Sequence, residues 1–158
     1  MIRVAILSYW HVHANDYAKD TDRNPHTEVV AVGDEVPERG RAEAAKRGVV
    51  FYESLDELLA QPDIDAVVVV TPTNIHRDVM VKAARAGKHI FTEKVVAPTL
   101  REANEIVRAV DEAGVKLTVS LPRLNHSYTQ TIHSVLADGL LGRLTLVRVR
   151  LSHNGALA

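Results

Sequence analysis

Ala66-Val67-Val68-Val69-Val70, running directly into Thr71-Pro72-Thr73-Asn74, decides how the rest of the chain is read. Five consecutive apolar residues, four of them β-branched, suit a strand covered by helices on both faces, whereas a strand with one wet face would alternate. This segment is therefore expected at the centre of a parallel sheet. Similar short segments recur on either side of it: Arg3–Leu7, Glu28–Gly33, Val49–Phe51, His89–Thr92 and Lys116–Val119. The intervals between them have room for one helix each, which is the rhythm of right-handed crossovers in an α/β, doubly wound parallel sheet.

Start and stop signals mark two of the intervening helices. Ser54-Leu55-Asp56-Glu57 and Thr99-Leu100-Arg101-Glu102 each place a hydroxyl three residues before a carboxylate, the capping-box pattern. After Thr99, the positions Leu100, Ala103, Ile106, Val107, Val110 and Ala113 form the expected inward face, and Gly114 ends the helix. A helix over Asn74–Ala86 is expected to turn Ile75, Val79, Ala83 and Ala86 inward and to stop at Gly87. Beyond Val119 the rhythm changes. Ser120-Leu121-Pro122-Arg123 reads as a link, Tyr128, Ile132, Val135 and Leu136 recur at helical spacing, and Leu144–Leu151 alternates like one strand of a half-buried sheet. We therefore expect a first domain over 1–121 and, over 122–158, the truncated start of a second α+β domain whose lone strand is completed by further sequence or by another chain.

The 158 residues carry 19 basic and 20 acidic side chains, a net charge of −1, so there is no field to draw a polyanion and nucleic acid is not an expected partner. No apolar run approaches the roughly 20 residues of a membrane span, and Met1–Leu7 is too short for a secretory signal. The chain has no cysteine, which removes thiolate metal sites, disulfides and cysteine nucleophiles and suits a cytoplasmic location.

In a doubly wound sheet, ligands bind outside the carboxyl ends of the strands. The first such loop, Ser8-Tyr9-Trp10-His11-Val12-His13, has no glycine; Ser8, Trp10 and His13 stand at the spacing of the glycines in G-x-G-x-x-G. Two readings stand for it: a packed turn with an aromatic lid, or a phosphate-binding turn in which Ser8, Trp10 and His11 touch a cofactor. His11 and His13 lack a third clustered ligand in sequence, and no metal is expected. Asp34, at the end of the second strand, either accepts the hydroxyls of an adenosine ribose or caps a helix; with Glu35 it would repel a 2′-phosphate, an effect Arg39 and Arg41 would offset. Capping alone accounts for Thr73 and Asn74 but not for the whole of Thr71-Pro72-Thr73-Asn74 with His76. Glu93-Lys94 closes the fifth strand as either a solvated pair or a carboxylate holding a proton-donating lysine.

Together these residues resemble the N-terminal half of the glucose–fructose oxidoreductase, inositol dehydrogenase and rhizopine catabolism (Gfo/Idh/MocA) family. The matching stretches are Asp63-Ile64-Asp65-Ala66, Thr71-Pro72-Thr73-Asn74-Ile75-His76, Ala86-Gly87-Lys88-His89-Ile90-Phe91-Thr92-Glu93-Lys94, Pro122-Arg123-Leu124-Asn125 and Gly139-Leu140-Leu141-Gly142-Arg143. The sequence departs from the family in its glycine-free first loop and at Val95, where the family has proline. The resemblance implies a Rossmann-like fold and an NAD(P)-dependent oxidoreductase acting on a sugar, polyol or related hydroxylated small molecule. Asp34 and Glu35 favour NAD over NADP, and the resemblance puts Asp34 at the adenosine ribose; Thr71, Pro72, Asn74 and His76 beside the nicotinamide half; Glu93 and Lys94 at the hydride-transfer site, with Lys94 catalytic; and Arg123 on the substrate side. It further implies a homo-oligomer formed through the second domain, which in the family also carries acid–base residues. Two alternatives remain at this level: an NAD-using glycosidase or lyase, and a non-catalytic nucleotide-binding or regulatory module.

Overall fold

The computed structural model describes residues 1–150 and 152. Six strands, β1 (Ile2–Leu7), β2 (Thr27–Gly33), β3 (Val50–Tyr52), β4 (Ala66–Val69), β5 (His89–Thr92) and β6 (Leu117–Val119), form one parallel sheet in the order β3-β2-β1-β4-β5-β6. The helices are α1 (Ala14–Arg23), α2 (Pro37–Arg47), α3 (Leu55–Leu59), α4 (His76–Arg85), α5 (Leu100–Ala113) and α6 (Ser127–Ala137). All six strands fall where the sequence places them, within one residue at each end, and the all-apolar β4 lies beside β1 in the middle of the sheet.

Period-two alternation along the strands sends side chains to two separate cores. Ala5, Leu7, Val67, Val69 and Ile90 face Leu58 and Leu59 of α3, Val79, Met80 and Ala83 of α4, and Ile106, Ala109 and Val110 of α5. Val4, Ile6, Val29, Val68 and Val70 face the opposite way, onto Ala14 and Ala18 of α1. Burial of each such aliphatic side chain is worth about 1.5–3 kcal/mol, and a strand walled on both sides has no room for a polar one.

Two details of the helix faces differ from the sequence reading. In α5, Ala109 is buried while Leu100, Val107 and Ala113 are exposed, because only a narrow stripe of the helix, Ile106, Ala109 and Val110, is covered. In α4, Ala86 is exposed at the C-terminal end, and a 3-10 turn, Thr73–Ile75, precedes the helix. The two expected caps form: Ser54 accepts from the amide of Glu57, and Thr99 from that of Glu102.

The chain divides into two compact units, the first Met1–Ser120 and the second starting at Leu121. In the second, a 3-10 turn (Pro122–Asn125) leads into α6, none of whose side chains is buried. The expected strand over Leu144–Leu151 is not formed across Leu144–Arg150, and Leu151 lies outside the described residues. A strand needs a hydrogen-bonded neighbour, and Leu144–Arg150 have none among the described residues.

Candidate active site

β1 leads leftward to β2 and β3, and the chain then returns to place β4 on the other side of β1. The loops after β1 and β4 therefore diverge and leave a crevice at the switch point. A cavity of about 160 Å³ opens there, walled by Leu7, Ser8, Gly33, Asp34, Glu35, Tyr52, Thr71 and Ile75 among others. Thr71 Oγ1 is buried in this wall and has no hydrogen-bond partner among the described residues. An unpaired buried hydroxyl costs about 1–3 kcal/mol, so it suits a position that a ligand's polar group completes.

Ser8 begins the first loop with φ +78°, the left-handed region usually reserved for glycine. The glycine-free loop thus adopts a glycine-like bend. What holds it is a set of local bonds: the Ser8 hydroxyl donates to Glu35 Oε1 at 3.0 Å and accepts from the Trp10 amide at 3.0 Å, and the Ser8 amide donates to Gly33 O at 2.7 Å. Trp10 stands half out of the surface.

Asp34 is the anchor of this end. Its carboxylate is fully shielded and accepts from the amides of Tyr9 and Val36, both at 2.8 Å, and from Arg39 Nε and Nη2 at 2.9 and 2.7 Å. Four donors fill the lone-pair directions of both oxygens. Arg39 also reaches Glu35 at 2.8 Å, and the two carboxylates hold its guanidinium pKa above the ordinary value. Asp34 thus ties the first loop to the start of α2, a role that neither of the two sequence readings included. Gly40 of α2 makes this approach possible, since a Cβ there would lie 2.7 Å from the Asp34 Cβ and 2.3 Å from the Phe51 ring.

A second group of residues gathers at the end of β5. Glu93 is only 3% exposed; its Oε1 accepts from the Tyr17 hydroxyl at 2.7 Å and its Oε2 from the amide of Lys94. Tyr17 Oη is also 2.7 Å from Ser120 Oγ, and burial above all pushes its pKa up to about 12, so it remains a donor. The Lys94 ammonium lies 3.8 Å from Glu93 Oε2 with its side chain more than half exposed. Glu93 and Lys94 are thus a buried carboxylate with an exposed cation, not a solvated pair. The Lys94–Val95 peptide is cis.

His11 and His13 come from the first loop to the same place, with ring centroids 5.0 Å apart, and His11 Nδ1 is 4.0 Å from Glu93 Oε1. Desolvation lowers the His11 pKa, with Glu93 opposing the shift. One sequence expectation is corrected here: the two histidines do have a third clustered ligand, Glu93, which stands 80 residues or more along the chain and is brought in by the sheet.

His76 is buried with Nε2 3.0 Å from Thr71 O and Nδ1 3.1 and 3.2 Å from the carbonyls of Val95 and Val96, so it braces the loops after β4 and β5 against each other. Pro72 starts the 3-10 turn and is half-buried; Asn74 within that turn is exposed. Arg123 belongs to the second unit, exposed in its 3-10 turn. Sequence reading missed Tyr17, Ser120 and Gly40. The sheet-facing stripe Ala14–Tyr17–Ala18 was the available signal for Tyr17; the other two carry none.

With this geometry in view, the comparisons with known proteins converge. A family model described as "Oxidoreductase family, NAD-binding Rossmann fold" (Gfo/Idh/MocA) matches residues 3–121. The chain belongs to the Gfo/Idh/MocA oxidoreductase family. A 1,5-anhydro-D-fructose reductase of Ensifer adhaerens is 39% identical over 123 residues, 77% of this chain and 37% of that protein. Among solved structures, the WlbA dehydrogenase of Bordetella pertussis, in complex with NADH and UDP-GlcNAcA, superposes with a TM-score of 0.84 at 29% identity, covering 90% of this chain and 41% of that one. KijD10, a 3-ketoreductase of Actinomadura kijaniata in complex with NADP and TDP-benzene, gives 0.78 at 26% identity, covering 88% and 43%. The chain spans about two fifths of the length of these Gfo/Idh/MocA relatives, and what it shares with them is the NAD-binding Rossmann domain of an oxidoreductase. No helix among the described residues is long and apolar enough to cross a membrane.

Proposed function

We propose that this chain is the nucleotide-binding part of an NAD-dependent oxidoreductase acting on a sugar, polyol or related hydroxylated small molecule. The observation that carries the reading is the unpartnered Thr71 hydroxyl in a cavity at the switch point, one loop away from the buried Glu93 that holds Lys94. A dinucleotide would run along and beyond that crevice, with Ser8, Trp10 and His11 along its middle, Asp34 and Glu35 at the adenosine ribose, and Thr71, Pro72 and Asn74 toward the nicotinamide half. A nicotinamide bound there supplies the hydride acceptor or donor. The chain's own part is to place it, exclude water and handle the proton. Lys94, tethered through Glu93, donates a hydrogen bond to the substrate oxygen and serves as the catalytic residue, while His76 acts as a positioning residue through the loops it braces. Arg123 is assigned to the substrate side on the family resemblance alone. The exposed apolar stripe Tyr128, Ile132 and Leu136 on α6 favours burial in further sequence or in a homo-oligomer, and a cytoplasmic location suits the cysteine-free chain.

NAD is favoured over NADP because Asp34, Glu35 and Glu53 outnumber Arg39 and Arg41 at the cavity's adenosine end. Ribose hydroxyls would take the place of Arg39 on Asp34. The test uses the single tryptophan: NADH should quench Trp10 fluorescence at lower concentration than NADPH, and Asp34→Ala should weaken NADH more than NADPH. Absence of quenching and of calorimetric heat at millimolar cofactor would leave the non-catalytic module as the better reading.

A further inference from the structure

We propose that His11, His13 and Glu93 form an open binding site for a divalent first-row metal ion of the zinc type. The three side chains offer one ligand atom each, all within 4.8 Å of one another. Two imidazoles and a carboxylate, with no thiolate in the chain, are a donor set suited to Zn²⁺, Fe²⁺ or Mn²⁺ and a poor one for Ca²⁺ or Mg²⁺.

Ligand bonds of about 2.0–2.2 Å put donor atoms roughly 3–3.5 Å apart around the ion. His11 Nδ1, which accepts from the His13 amide at 3.2 Å, lies 4.0 Å from Glu93 Oε1, so closing the set exchanges that loop hydrogen bond for a metal bond with small ring rotations. The half-exposed His13 is free to make the largest of them.

The carboxylate is held in the manner of a metal ligand. Tyr17 donates to Oε1 and is itself bonded to Ser120, while the Lys94 amide and ammonium engage Oε2. Oε1, on the histidine side, keeps a second lone pair for an ion. Asp16 Oδ2 lies 3.7 Å from His13 Nδ1, within reach to orient that ring. Such outer partners fix ligand geometry and raise affinity. Three protein donors, with His13 at the surface, leave at least one coordination position open beside Lys94, where an oxygen of a hydroxylated ligand would bind.

The first loop carries both imidazoles, His11 and His13, to the end of β5.

The experiment is calorimetric titration of the chelator-treated, dialysed chain with Zn²⁺, with Co²⁺ absorption as a second readout. One Zn²⁺ per chain is expected, with the intense visible bands of low-coordinate Co²⁺. His11→Ala, His13→Ala and Glu93→Gln should each abolish saturable binding, Tyr17→Phe should weaken it by about tenfold, and His26→Ala, at an exposed site elsewhere, should leave it unchanged. His13→Ala is the control for folding, since its exposed ring should leave thermal unfolding in chelator as in wild type. No heat with the wild-type chain, or binding that survives unchanged in His13→Ala, would overturn the proposal. Trp10 quenching by NADH, measured in chelator, reports on the nucleotide site separately.

Discussion

Ser8 shows how one residue stands in for a glycine. Its φ of +78° costs a non-glycine residue about 1–2 kcal/mol, and the hydroxyl's bonds to Glu35 and to the Trp10 amide offset that cost. The two effects separate by substitution. Ser8→Ala keeps the strain and loses the bonds, so it should destabilise by about 1–3 kcal/mol in urea unfolding. Ser8→Gly loses the same bonds but relieves the backbone, and should be more stable than the alanine variant by about 1 kcal/mol. Equal midpoints would mean that the loop relaxes out of the left-handed region. The position of Ser8 at a strand end was legible in sequence; its conformation was not, because nothing local to Ser8-Tyr9-Trp10 announces a positive φ. Asp34 was likewise legible as an acid at the end of β2, but its saturation by Tyr9, Val36 and Arg39 depends on three segments meeting.

At the scale of elements, α2 packs through two small residues, Gly40 and Ala44, of which Gly40 makes the tightest approach. A methyl at Gly40 would meet both the Phe51 ring and Asp34, so Gly40→Ala should cost about 1–3 kcal/mol despite alanine's better helix propensity, and should weaken NADH binding by displacing Asp34. Unfolding midpoints with a parallel NADH titration check both; a stabilised variant would show that α2 shifts freely. The strands were readable almost to the residue because β-branched runs bounded by polar loops have few other solutions in a parallel sheet. The faces of α5 were less so. Leu100 and Val107 are apolar and sit near buried positions of the helix, yet both stay exposed, because coverage depends on the neighbouring elements and not on the helix's own periodicity. The alternation over Leu144–Arg150 had strand character without a strand, since pairing is a property of two segments and no second one lies beside it among the described residues.

Across the molecule, an ion pair fastens the amino-terminal strand to the approach to β4. Arg3 Nε and Nη2 donate to Asp65 at 3.0 and 2.9 Å, the Arg3 amide adds a third bond, and together they hold the Asp65 carboxyl well below the usual carboxylate range. A carboxyl with a lowered folded-state pKa stabilises the fold fully above its unfolded value near 3.9 and loses that contribution as pH falls toward the folded one. Both side chains are about one third exposed, and screening limits the effect to about 1 kcal/mol. Asp65→Asn should therefore lower urea stability at pH 7 by about 1 kcal/mol and lose less than wild type between pH 5 and pH 3. Parallel acid limbs for the two proteins would remove the pair from the account.

The order of apolar and polar residues determined by itself that this chain builds a parallel sheet with helices between its strands, because burial on both faces is written in each strand separately. It also placed Asp34, Thr71, Glu93 and Lys94 at strand ends, where such a sheet collects its chemistry. Only the tertiary structure decided that Arg39 covers Asp34, that Tyr17 and Ser120 secure Glu93, and that His11 and His13 meet a carboxylate 80 or more residues away. Contacts of that kind depend on which loops the strand order brings together, and no periodicity along the chain records the distance between them.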